Sequence, residues 1–399
     1  MSYHERIFGR AEGKNPLSIR SETPGIGGGG GSHEEARERN QESNEAQLCS
    51  GFDILLQELR KNPEDLQKRI DMLKELPESN NVLGKIYREN YFTEEHWEIA
   101  ATLRFYDQKT FNHSLRVLQC IYEMATDDGE TATYLKKRMA IENPHDEHMA
   151  FQDLFAAAFF HDIGKTAIPK KILHDHRSRR DWARDANIWA KKIGRDLYFD
   201  EGALQDPEQG GLEEAKLDDY FTRVRQEKDY EPLSIVPLHE VFDDATLREL
   251  EMHGIEASDT FRRVLERHES ATRAILRRKK MYISADIASH HHDYEKRPIR
   301  LERYPTEISA VRIGFELSIL RSIDIYDALT SDDREYKHPH HPLLALEILV
   351  REAEAEFTEL ELTKYVVRDL YKKLEASQKN TPRDEKEGHA LSVILEFIQ

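Results

Sequence analysis

The stretch Phe151-Gln152-Asp153-Leu154-Phe155-Ala156-Ala157-Ala158-Phe159-Phe160-His161-Asp162-Ile163-Gly164-Lys165 decides how the chain is read. Phe151, Leu154, Phe155 and Ala158 form an apolar stripe at helical spacing, and further helical steps reach His161 and Asp162. A buried helix therefore ends by presenting an imidazole beside a carboxylate. Gly164 is expected to stop that helix, and Lys165 adds a cation. Burying a carboxylate without compensation costs roughly several kcal/mol, and a divalent cation supplies the compensation directly. An aspartate can bridge two such ions, whereas a histidine binds one.

Other ligand-type residues lie on inward helical faces. His113 steps to Val117, Cys120 and Met124, and Phe261, Leu265, His268, Thr272 and Ile275 share one face. Ile283 and Ile287 lead to His291, within His290-His291-His292-Asp293. Around Tyr326, an apolar helix carries Asp324 and Asp327 three residues apart. Taken singly, each histidine reads as a satisfied core residue; five such faces together read as a metal site. His145 and His148 fall in a polar, turn-rich segment and read as solvated, while His174 and His176 sit beside charges. Trp97, Trp182 and Trp189 show no base-stacking arrangement with basic neighbours.

Helical faces recur at 111–125, 261–278, 283–291, 308–329, 342–354, 360–374 and 391–398, and Asn62-Pro63 opens a further helix through Leu66, Ile70, Leu73 and Leu76. Alternating strand patterns are scarce, so an all-α fold is predicted. The chain has 399 residues, and 58 basic against 76 acidic side chains give a net charge of −18. That balance argues against a nucleic-acid polymer or an anionic membrane as partner. Two cysteines, Cys49 and Cys120, build neither a disulfide framework nor a thiolate zinc site, and no apolar run suits a membrane span, so a cytoplasmic location is expected. Residues 1–50, with the glycine run 27–31, read as a disordered linker, because the run lacks the Gly-Lys-Ser/Thr of a phosphate loop. The expected organisation is N-terminal helices at 51–105, a main domain at 106–378 and a C-terminal helix at 379–399. A charged insertion at about 175–258 interrupts the main domain, and its acidic part offers a surface for a protein partner.

His161-Asp162-Ile163-Gly164-Lys165 resembles the signature of HD-domain metal-dependent phosphohydrolases, and the order of the other pieces resembles the HD-GYP branch. Those pieces are Asn112-His113, Ile168-Pro169 with Ile172-Leu173, His268 with Ile275-Leu276, the double histidine after Ile287-Ala288, and Asp324 to Ser331 with Arg334 to Lys337 beyond. The resemblance covers about 105–375. It departs from the branch in lacking the Gly-Tyr-Pro loop, of which Arg303-Tyr304-Pro305 is a late remnant, and in placing Thr272 where the branch has a glycine.

The resemblance implies an HD-type helical bundle whose site is held by His113, His161, Asp162, His268, His291, His292 and Asp324, with His290 in reserve. Lys109 stands where some members carry a glutamate for a third metal, which implies two divalent ions here: Fe, Mn, Co, Ni or Zn. Asp162 and Lys165 are then the catalytic groups, Asp327 orients a ligand histidine or Lys165, or caps its helix, and Arg334 and Lys337 contact a substrate phosphate. The implied activity is hydrolysis of a phosphoester, with a phosphodiesterase acting on a cyclic or other nucleotide favoured. The alternatives are a nucleotidase or phosphomonoesterase, and a catalytically weak nucleotide-binding signalling module. A homodimer is compatible with each.

Overall fold

Small polar residues set the helix boundaries. The computed structural model describes residues 49–75, 82–142, 146–174, 179–194, 236–292, 307–331 and 339–399. Residues 1–48 of the linker expected at 1–50, most of the charged insertion, the Arg303-Tyr304-Pro305 remnant, Arg334, Lys337, His145 and His176 lie outside them, while Cys49 and Ser50 are helical. After helical residues 49–60, the Asn62 side chain accepts from the Asp65 amide at 3.3 Å and Pro63 opens α1 (Pro63–Lys74). α2 (Val82–Arg88) and α3 (Glu94–Tyr106) follow. Asp107 closes α3 and caps α4 (Gln108–Thr126), taking the Thr110 amide at 3.0 Å. α5 (Glu130–Glu142) precedes α6 (Glu147–Phe160), which Asp146 caps through the Met149 amide at 3.0 Å.

α6 is the axis of the larger of two compact units, Gly51–His176 with Leu265–Gln399. Every residue from Leu154 to Phe160 is buried, as a helix apolar on all sides demands. α4, α10 (Tyr282–Ser289) and α11 (Glu307–Thr330) pack around it. α12 (Pro342–Glu354) packs on α11, α13 (Leu360–Ala376) and α14 (Glu385–Ile398), closing the C-terminal side. The helix expected over 151–162 ends earlier, at Phe160. His161 and Asp162 form a turn, and a 3₁₀ turn, Ile163–Ala167, follows. Gly164 is thus not the helix stop that the sequence suggested. The helix expected to reach His291 likewise ends at Ser289, leaving both His291 and His292 in the succeeding turn.

In the smaller unit, the described residues between Arg177 and Val264 include α7 (Arg179–Lys192), α8 (Asp244–Met252) and the start of α9 (Phe261–Arg278). Trp182 packs edge-on against Phe261 at 4.6 Å, and Lys192 pairs with Glu240. The isolated bridge between Pro237 and Thr260 is the sole β feature among the described residues, so the fold is all-α. No helix among the described residues is long and apolar enough to cross a membrane.

Candidate metal centre

Five chain segments of the larger unit converge. α4 brings His113, the turn after α6 brings His161 and Asp162, α9 brings His268, the turn after α10 brings His291 and His292, and α11 brings Asp324. The imidazoles are oriented from behind. Nδ1 of His161 donates to the Ala158 carbonyl at 2.9 Å, that of His268 to Leu265 at 2.5 Å and that of His291 to Ala288 at 2.5 Å. A carbonyl only accepts, so the proton sits on Nδ1 and each Nε2 presents a lone pair to the centre. His113 uses a carboxylate instead, its Nδ1 donating to Asp327 Oδ2 at 2.7 Å.

The two oxygens of Asp162 face different histidines, and His161, His291 and Asp324 offer ligand atoms within 4.8 Å of one another between them. Oδ2 lies 3.8 Å from His113 Nε2 and 3.5 Å from His161 Nε2. Those nitrogens are 3.2 Å apart, and Asp324 Oδ1 is 3.0 Å from His113 Nε2 and 3.7 Å from His161 Nε2. Oδ1 lies 3.6 Å from His268 Nε2 and 3.9 Å from His291 Nε2. The His292 ring lies tilted against His291 with centroids 3.9 Å apart, and His268, His291 and His292 offer nitrogens within 4.8 Å of one another. Ligand atoms that share one ion at bonds of roughly 2 Å stand about 3–4 Å apart, which is the spacing found.

The burial of these atoms bears directly on whether an ion fits. Asp162 Oδ1, His268 Nε2 and His291 Nε2 are buried and have no hydrogen-bond partner. Acceptors withdrawn from water without donors are costly. Divalent ions satisfy all three at once, and imidazole with carboxylate, without thiolate, suits Fe, Mn, Co, Ni or Zn. The residues present therefore fit the group.

Electrostatics follow from the same packing. Burial pushes His268 down and His291 well down, and it carries His292 down to about 3, so these rings are neutral. Burial also opposes charge on His113, but hydrogen bonds to Asp324 and Asp327 outweigh it and raise the group to about 9. Burial likewise works against charge on Asp162, yet Lys165 and His161 hold its carboxyl well below the ordinary range. Lys165 Nζ donates to Asp162 Oδ2 at 2.5 Å and remains partly exposed.

All seven expected ligands are thus in one place, with Lys165 on the shared carboxylate and Asp327 behind His113. His290 is not among the clustered donors; its carbonyl accepts from Arg321 Nη2 at 2.7 Å. His148 is exposed and stacks on Tyr91, and His174 pairs with Asp107 at 3.3 Å. Three residues that the sequence reading did not single out for such a part support the site. Arg116 grips Asp327 through Nε at 2.7 Å and Nη2 at 3.0 Å. Arg321, almost fully buried, ties down the double-histidine turn through the carbonyls of His290, His291 and Phe357. Thr272 bonds to the turn around Asp162. A lone arginine between Leu320 and Ile323 on an apolar helix was a legible signal, since a guanidinium there must find acceptors; Arg116 and Thr272 gave no such signal.

The family model of the HD domain matches residues 110–221, the segment that carries His113, His161 and Asp162. The match supports the HD-domain superfamily of metal-dependent phosphohydrolases for this chain. No curated protein and no solved structure matches it.

Proposed function

We propose that the protein is a two-metal phosphohydrolase, similar to the HD-GYP branch, that cleaves a phosphodiester in a cyclic or other nucleotide. The observation that carries this reading is that the two oxygens of Asp162 face different histidines, Oδ2 facing His113 and His161 and Oδ1 facing His268 and His291, with Asp324 and His292 within the same clusters of donors. Divalent ions held there would supply Lewis-acid chemistry, activating water near neutral pH and stabilising charge on phosphoryl oxygens.

The chain's own groups do the rest. Asp162 fixes the spacing of the two halves of the site. Lys165 extends from the same turn and is partly exposed, so its ammonium can turn from Asp162 to a non-bridging phosphoryl oxygen and take up charge there. Asp327, held ionised chiefly against burial by His113 and Arg116, keeps His113 Nε2 aimed inward. Arg334 and Lys337, beyond Ser331, are assigned to a substrate phosphate. With divalent cations bound, Lys165 would complete a positive pocket inside an acidic chain, which would let such a chain hold a phosphoester. The same reading takes the protein to be cytoplasmic and its acidic insertion to be a surface for a protein partner.

The test is hydrolysis of bis(p-nitrophenyl) phosphate, p-nitrophenyl phosphate, and cyclic mono- and dinucleotides by metal-loaded protein. Diester cleavage that His161→Ala and Asp162→Ala abolish is expected. Cleavage of monoesters alone, or bound metal without turnover of any of them, overturns the diesterase assignment.

A further inference from the structure

Asp162 occupies the N-cap of the Ile163–Ala167 turn, yet its side chain makes no capping bond. An aspartate there ordinarily turns back to accept the amide of the second or third residue, here Gly164 or Lys165. The Gly164 amide instead donates to Thr272 Oγ1 at 2.9 Å, and Thr272 Oγ1 donates to the His161 carbonyl at 3.0 Å. Thr272 is fully buried and lies one turn beyond His268 on α9. Its hydroxyl therefore bonds on both sides of Asp162. The approach is close because Gly164 has no side chain: a Cβ there would stand 1.9 Å from the His268 carbonyl oxygen and 2.6 Å from the Thr272 nitrogen.

We propose that Thr272 is a positioning residue that caps the Ile163–Ala167 turn in place of Asp162, which leaves the Asp162 carboxylate, held at Oδ2 by Lys165, turned toward the histidines on both of its sides. The proposal rests on the two-ion reading. Without the hydroxyl, the uncapped Gly164 amide competes for the Asp162 carboxylate, and ion binding suffers more than the fold. Thr272→Val preserves shape and removes the donor and acceptor, whereas Thr272→Ser keeps them.

Manganese titrations by calorimetry on the full chain, with a melting curve for each variant, test this. Wild type should bind two equivalents; Thr272→Val should bind about 10–100-fold more weakly while melting within a few degrees of wild type. Thr272→Ser should return to within about threefold of wild type, since it restores the hydroxyl. Thr272→Val that binds like wild type, or Thr272→Ser as weak as Thr272→Val, overturns the proposal. Should Thr272→Val not fold, Thr272→Ala, which introduces no clash, takes its place, and failure of both to fold overturns it too. Wild type that binds no manganese sinks the two-ion reading itself, a result visible before any variant is made.

Discussion

Gly164→Ala is the substitution whose consequence the structure fixes most tightly. Ordinary van der Waals contact for an added Cβ begins at 3.4 Å, and the space at Gly164 ends 1.9 Å away at the His268 carbonyl, a shortfall of 3.4 − 1.9 = 1.5 Å. The obstructing atoms, His268 O and C and Thr272 N, are backbone, so no side chain can swing aside. Either α9 withdraws or the turn carrying Asp162 unwinds. Overpacking costs roughly 1–3 kcal/mol, occasionally more, and separating Thr272 from the turn forfeits two hydrogen bonds at about 1 kcal/mol each. A loss of about 3–5 kcal/mol follows, which lowers Tm by on the order of 10 °C at about 2–4 °C per kcal/mol for a domain of this size. Since His268 Nε2 stands only 3.6 Å from Asp162 Oδ1, a retreat of that scale also separates them, and manganese binding beside Oδ1 should be lost. Gly388→Ala is the control of opposite sign. Nothing lies within 4 Å of a Cβ there, and a helical glycine replaced by alanine gains about 0.5–1 kcal/mol. Melting curves and calorimetric titration read both outcomes. A Gly164→Ala protein as stable as wild type and equally able to take up manganese would refute the packing argument.

Four further outcomes follow from the site. Asp327→Asn removes the charge that holds His113 Nδ1–H, so ion affinity should fall about 10–100-fold, as read by titration; a change under twofold would show that Asp327 does not orient His113. His113 is raised in the metal-free protein to about 9, against an ordinary 6.5, so an ion must displace a proton from it at neutral pH. Manganese affinity should therefore climb as pH rises from 6.5 and level off above about 9, with proton release at pH 7 that vanishes above pH 9.5; affinity flat across that range contradicts it. The same sign makes the His113 contribution to metal-free stability complete below pH 6.5 and lost as pH passes through 9, visible as a falling Tm. Arg321→Met leaves three carbonyls without their guanidinium and should cost about 3 kcal/mol by urea denaturation, while loss below about 0.5 kcal/mol would mean the turn holds itself.

Much of the fold was legible because buried helices declare their period. Phe261–Arg278 and Pro342–Glu354 have the very limits that their apolar spacing suggested, and Asn62-Pro63 caps and opens α1. The errors that bear on the site fall at helix ends, while α14 begins at Glu385 and not at the expected Leu391. α6 stops at Phe160 and α10 at Ser289, so the ligands sit in turns where helical periodicity no longer determines direction. Gly164 looked like a stop signal and is instead a point of backbone contact, which depends on α9, more than a hundred residues away, and so leaves no local trace. Arg116 was hidden for a related reason: its acceptors, Asp327 and Ser331, are more than two hundred residues further on.

The central claim is that Asp162 stands between two cations. X-ray diffraction from crystals grown with manganese, recorded on both sides of the manganese absorption edge, tests it most directly. Two anomalous peaks should appear, one beside Oδ2 among His113, His161 and Asp324, and one beside Oδ1 among His268, His291 and His292. A single peak, or peaks that leave either oxygen of Asp162 without a neighbouring ion, would contradict it.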